Sequence, residues 1–273
     1  MGSQLKQRGG AALKTVAAAV DKVRRPAAGV TVLIYHRVGA RTPVAVDLPT
    51  SVFRDQMAEL ADRVISLDTA LDVLAGTIES PVEHPVVITF DDGTVDLVEE
   101  ALPVLVEYKV PALLYVATEF IDEGRPFPDD GKVPSWAALS DAAATGCLDL
   151  GSHTHTHALL DRLEVSQVAD ELDRSIERIA TETGTEARHF AYPKALSGSP
   201  GADAAIRERF RSAAIGGCHA NLVGKTDPFR LARSPIQVSD GMRWFRAKAD
   251  GGLRFEDEVR QLVNLARYRG ATS

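Results

Sequence analysis

The chain has 273 residues, with 31 Lys and Arg against 38 Asp and Glu, and a formal charge of −7 excludes a nucleic-acid binder that works through a basic surface. At 45% hydrophobic and 25% charged residues it has the composition of a globular protein, not a disordered one, and it is long enough for one core of α/β-barrel size or for two small domains. Two cysteines, Cys147 and Cys218, make neither a disulfide framework nor a CxxC metal site.

The N-terminal stretch 1–29 is basic and alanine-rich. Lys14 interrupts its apolar part, and TVAAAV is too short for the h-region of a secretory signal, which spans about 7–15 residues. It reads as a free helix or unordered leader, a solvated extension; the alternative is a basic face held against an anionic membrane surface. No stretch approaches the roughly 20 apolar residues of a spanning helix. Residence in the cytoplasm is the expectation that follows, with peripheral membrane attachment or export as the alternatives.

From residue 30 onward short apolar runs alternate with helical patterns. Strands are predicted at 31–36, 64–67, 86–90, 112–116, 148–153, 189–192, 213–216 and 236–238, rich in the Val, Ile, Leu and aromatic residues of buried parallel strands. Ser51 is read as the cap of FRDQMAELADR, and Ser135 as the cap of WAALSDAAAT, stopped by Gly146. The stretch 165–183 carries apolar residues at 165, 168, 172, 176 and 179 and ends before Gly184, an amphipathic helix. Pro103 kinks or restarts the helix after 93. Repetition of this kind implies an α/β fold, parallel strands with outer helices, whose ligand site lies at the carboxyl ends of the strands. The barrel is expected over 30–245, with a helical segment at 246–273 packing on or trailing it. The loop 122–134, DEGRPFPDDGKVP, is read as a surface excursion, with a lid or rim over the site as the alternative.

Polar residues collect at the predicted strand ends: His36, Asp91 and Asp92, His153, and Tyr192. Adjacent carboxylates after a buried strand are costly unless a cation or hydrogen bonds compensate them. Three of the seven histidines, His153, His155 and His157, fall within five residues. If a helical turn begins there, His153 and His157 face one way and His155 points aside. Two His and one carboxylate leave positions open for water and substrate, the arrangement of a catalytic metal centre. Cys147 starts the strand that ends at His153, so it belongs to the opposite end of the sheet. A strand ending in Tyr192-Pro193 makes a rigid turn able to present the Tyr192 N–H to a reacting carbonyl.

TFDDG at 89–93, H-T-x-x-H at 153–157 and FAYP at 190–193 resemble the first three motifs of the polysaccharide deacetylases, the NodB-homology enzymes of carbohydrate esterase family 4. YHRV at 35–38, SW at 135–136 and DPFRLAR at 227–233 resemble flanking features of the branch with the exopolysaccharide and poly-N-acetylglucosamine deacetylases. The order is right, with 61 positions from Asp92 to His153 and 35 from His157 to Tyr192. The resemblance implies a distorted (β/α) barrel of fewer than eight regular strands. It implies Asp91 as catalytic base, Asp92, His153 and His157 as ligands of a divalent metal, usually zinc, and Tyr192 as the residue whose N–H holds the oxyanion. The substrate it implies is a carbohydrate bearing N-acetyl groups.

Two departures stand out. Members of the branch read FAYPYG where this chain reads FAYPKAL, which puts Lys194 where it meets an anionic substrate or solvent. The late Leu-x-His motif that supplies a general acid has no counterpart; His219 in GGCHAN and His36 are the candidates, each also readable as a structural or surface histidine. Other amide hydrolysis on the same centre, of a cyclic imide or a lipid-linked sugar, and an idle carbohydrate-binding homologue are the alternative functions.

Overall fold

The computed structural model describes residues 13–19, 21, 29–256, 258 and 259. Seven parallel strands close into a barrel: β1 (Thr31–Tyr35), β4 (Val86–Phe90), β5 (Ala112–Val116), β6 (Leu148–Ser152), β7 (His189–Ala191), β8 (Ser212–Gly216) and β9 (Leu231–Pro235), with β9 pairing back onto β1. A two-stranded sheet, β2 (Arg37–Val38) and β3 (Asp47–Leu48), follows the first barrel strand. The outer helices are α1 (Thr50–Leu60), α2 (Leu67–Leu74), α3 (Leu102–Tyr108), α4 (Thr118–Glu123), α5 (Trp136–Ala144), α6 (Val165–Thr183), α7 (Pro200–Arg209) and α8 (Gly241–Ala249).

Alternation along the strands builds two apolar layers. Val32, Val87, Leu113, Tyr115, Ala191, Ala214 and Leu231 cluster together, while Leu33, Tyr35, Ile88, Phe90, Leu114 and Val116 join the helices in a second cluster. The first set lines the barrel lumen, its members coming from six of the seven strands of the closed sheet. All strands run the same way, so His36, Asp91, Asp92, His153 and Tyr192 gather at one mouth.

Several predicted elements form where the local signal is unambiguous. Ser135 caps α5, its oxygen accepting from the Ala138 N–H, and Gly184 ends α6 with φ of 68°. Two predicted strands do not form. Only Val64 of 64–67 pairs, in an isolated bridge to Val86, because Ser66 caps α2 and the apolar residues that follow have helical spacing. The last barrel strand is Leu231–Pro235 and not 236–238. Its buried Arg233 and Ser234 broke the apolar pattern from which strands are read. Ser51 lies within α1, whose N-cap is Pro49.

The terminal expectations also change. Over 13–19 the predicted free extension is docked: Ala17 packs with Trp244 and Leu253, and the buried Lys14 ammonium donates to Asp240 at 2.5 Å. The buried Lys248 Nζ meets the same carboxylate at 2.8 Å, so Asp240 carries two cations. Helix α8 runs through the expected boundary at 246, and residues beyond 259 lie outside the described residues. Among the described residues no helix is long and apolar enough to cross a membrane.

The opposite mouth is stapled by charge. His189 Nδ1 lies 2.9 Å from Ser212 Oγ and its Nε2 3.3 Å from Asp68, which also pairs with Arg188 and Arg211. A cavity of about 230 Å³ opens here beside Asp149, Arg188 and His189, remote from the clustered histidines. Burial, against the pull of Asp68, lowers His189 from 6.5 to about 4, so it is neutral in the fold at neutral pH. The unfolded chain binds that proton more readily, so the stability from neutral His189 is present above about pH 6.5 and is lost as pH falls toward 4. Urea unfolding between pH 7.5 and 4.5 should therefore show stability falling by up to about 1.4 kcal/mol per pH unit from this group. His189→Gln should flatten that slope; an unchanged slope refutes the assignment.

Candidate active site

Asp91 and Asp92 follow β4 on a turn with φ of 76° at Asp92 and 101° at Gly93. The two aspartates leave the strand in different directions. Asp91 faces the lumen, where Arg233 from β9 grips it with two bonds, Nη1 to Oδ1 at 2.6 Å and Nη2 to Oδ2 at 2.9 Å. The Arg233 Nη1 also donates to Thr89 at 3.2 Å, and the guanidinium lies over the Tyr115 ring, 5.0 Å from its centroid. Both side chains are buried, at 0% and 6% exposure. Burial pushes the Asp91 carboxyl up, but Arg233, with smaller contributions from His153 and His36, outweighs it and brings the net value down to about 2. Sequence reasoning gave Arg233 no role. The only signal was an arginine inside DPFRLAR, and its partner stands 142 positions away.

Asp92 points to the histidines. Its Oδ1 lies 3.5 Å from His157 Nε2 and 3.8 Å from His153 Nε2, and the ligand atoms of all three residues fall within 4.8 Å of one another. His153 follows β6, and its Nδ1 is 2.8 Å from the Ala191 carbonyl, which leaves Nε2 as the lone-pair nitrogen facing Asp92. His157 is boxed by Phe120 and Phe127, whose stacked rings stand nearly perpendicular to it at 6.3 and 6.1 Å. Burial, with a further push from His153, holds His157 down at about 3; burial also lowers His153 against the attraction of Asp91 and Asp92. Neutral imidazoles beside an ionised carboxylate are the protonation states a divalent cation requires. The donor set fits such an ion.

The way the histidines converge differs from the expected helical turn. Residues 153–157 are not helical; Thr154 and His157 adopt left-handed conformations, with φ of 65° and 63°. His155 does point away, and its Nδ1 is 2.8 Å from Thr118 Oγ1. The loop 122–134 is a wall of the site and not a plain excursion. Its Phe127 lies against His157, and Arg37 holds the loop through the carbonyls of Pro128 and Asp129.

Tyr192 requires a correction. Its N–H donates to the Ala214 carbonyl at 3.1 Å, continuing the ladder between β7 and β8, and its hydroxyl is bound to Asp203. The N–H is thus spent on the sheet. Pro193 has none, and the next main-chain N–H is that of Lys194. Lys194 and Ala195 both have positive φ, 55° and 57°, so the FAYPKAL turn is strained, and the Lys194 charge is felt at His157. His36, at the end of β1, has a buried Nδ1 without a partner, and it acts electrostatically on both Asp91 and Asp92. His219 turns its Nδ1 back to the Ala220 carbonyl at 3.2 Å and is no part of the cluster.

A parallel barrel with a carboxylate and two neutral histidines at its C-terminal mouth defines a barrel enzyme with a candidate metal centre. Residues 79–208 match the family model described as polysaccharide deacetylase. IcaB from Ammonifex degensii is similar in structure, with 25% identity and a TM-score of 0.69, covering 82% of this chain and 98% of that one. The deacetylase PplD of Streptococcus pyogenes, solved with acetate, has 18% identity and a TM-score of 0.71 over 82% of this chain and 99% of that one. A de-N-acetylase from Aggregatibacter actinomycetemcomitans has 17% identity and a TM-score of 0.66, covering 80% of this chain and 99% of that one. No curated protein sequence matches the chain. The matched segment is a polysaccharide deacetylase domain of the NodB-homology kind, and the chain is a hydrolase of carbon–nitrogen bonds other than peptide bonds.

The buried pair yields a test of its own. Arg233→Met leaves Asp91 buried and unpaired and should cost about 3–5 kcal/mol of stability in urea denaturation. Asp91→Asn in the same background should recover much of that loss. Wild-type stability in Arg233→Met would exclude the pair as a structural tie.

Proposed function

We propose that the protein is a metal-dependent hydrolase removing N-acetyl groups from amino-sugar units of a polysaccharide or its precursor. The observation that carries the reading is the meeting of Asp92, His153 and His157 within 4.8 Å, beside the ionised Asp91. About a fifth of the Asp92 side chain is exposed, which leaves the cluster reachable from the barrel mouth. When bound there, a divalent cation, zinc by the preference of this donor set, polarises the acetamido carbonyl and acidifies the attacking water.

This chain's own residues do the rest. Asp91 takes the proton of the water as it attacks; Arg233 fixes both carboxylate oxygens in direction, and each keeps a lone pair for that proton. A carboxyl with a pKa of about 2 is a weak base, suited to an already acidified water. The Lys194 N–H, on its strained turn, is the main-chain donor for the developing oxyanion, in place of the Tyr192 N–H. His36, whose buried Nδ1 is unspent, delivers a proton to the departing amine. Phe120 and Phe127 keep water from the far side of His157. The products are acetate and a free amino sugar.

His153→Ala should abolish acetate release from N-acetylglucosamine oligomers and zinc uptake together, while circular dichroism shows the barrel intact. Full activity in that variant would overturn the centre. Asp91→Asn should keep zinc and lose about 10²–10⁴ in kcat, as expected for loss of a general base. A panel of chitin oligomers, poly-N-acetylglucosamine, peptidoglycan fragments and cyclic imides identifies the substrate, and oligomer binding without acetate release would mark an idle module.

A further inference from the structure

The two histidines reach one point across a backbone that resists it. Thr154 is β-branched and His157 is a bulky ring, yet both sit at positive φ, a conformation costing about 1–2 kcal/mol per residue for such side chains. Something outside the loop must hold it. The carbonyls of Thr154 and His155 accept from the N–H groups of Thr118 and Glu119, at 3.4 and 2.9 Å, at the start of α4. The opposite side of the same segment meets one residue of α6. Glu171 Oε2 accepts from the His155 N–H at 2.9 Å and the Thr156 N–H at 2.8 Å, and Oε1 accepts from Thr156 Oγ1 at 2.8 Å. Charge-assisted bonds of this kind are about twice as strong as neutral ones. Helix α6 is itself tied to the strand end, since Ser175 Oγ lies 2.6 Å from Ser152 Oγ, which accepts from the Thr154 N–H at 3.2 Å.

We infer that Glu171 is a positioning residue for the metal centre: its carboxylate clamps His155 and Thr156 so that the strained turn directs His157 Nε2 toward Asp92 and His153. The inference rests on the metal reading above, and Glu171 itself touches neither ion nor substrate. Nothing in the family motifs covers it, because it stands on a helix 14 positions after His157 whose pattern shows only an amphipathic face. On this arrangement α6 belongs to the site as much as to the packing.

The test measures zinc affinity by competition with a chromophoric chelator at 25 °C, alongside unfolding of the metal-free protein. Wild type should bind one zinc ion. Glu171→Ala should bind it about 10–100-fold more weakly, with acetate release restored by excess zinc. Glu171→Gln, which keeps an amide oxygen for the two N–H groups, should recover most of the loss, and Glu177→Ala, an exposed glutamate of the same helix, should match wild type. A glutamate with a merely structural role would lower the stability of the metal-free protein and leave zinc affinity unchanged; that result overturns the inference. If Glu171→Ala does not fold, Thr156→Val removes one donor without touching the helix. It should weaken zinc toward the lower end of that range, and unchanged affinity there overturns the inference equally. Wild-type protein that takes up no zinc overturns the metal reading itself, a separate outcome from wild-type binding with an unaffected Glu171→Ala.

Discussion

The grip of Arg233 on Asp91 inside the barrel is the constraint around which the mouth of this protein is organised. A carboxylate sealed in the lumen between Tyr115 and Thr89 would lose its proton only at great cost without a partner. With Arg233 and the nearby histidines present its pKa falls to about 2, and it is ionised at neutral pH. The pair also links β4 to β9, which are both neighbours of β1 in the closed sheet. It therefore fixes the direction of the Asp91 carboxylate and fastens β4 to β9 across β1. A polar last strand, LARSP, is the consequence: the residue that completes the lumen is an arginine and not an aliphatic one.

The second organising feature is the segment that carries both histidines. It has no regular hydrogen-bond ladder of its own, so its shape is imposed by α4 through its carbonyls and by α6 through its amides. That division lets the backbone take left-handed turns at Thr154 and His157 and bring two rings to a centroid separation of 5.0 Å. His155, between them, is spent on Thr118 and contributes to the clamp, not to the metal site. Phe120 and Phe127 pack against His157, whose burial, with a push from His153, keeps it neutral.

The mouth also carries an unusual turn after β7. With the Tyr192 N–H tied into the sheet, the turn after it carries Lys194 and Ala195 at positive φ. His36 enters from β1, on the other side of Asp91, so the proposed proton donor and proton acceptor arrive from adjacent strands.

Much of this was legible in the chain itself. The alternation of apolar runs and capped helices specified a parallel α/β fold, and the residues just past each run, His36, Asp91, Asp92 and His153, specified which end would carry chemistry. Those signals are local: a strand of buried Val and Ile, or a Ser135 cap, depends on neighbours a few positions away. What only the tertiary structure decided depends on register between distant strands. The partner of Asp91 is 142 positions off, and the Tyr192 N–H was lost to a ladder set by β8. His153 and His157 meet through strained turns that two helices enforce. No pattern along one chain encodes such pairings, because each is fixed by the closure of the barrel and the packing of helices around it.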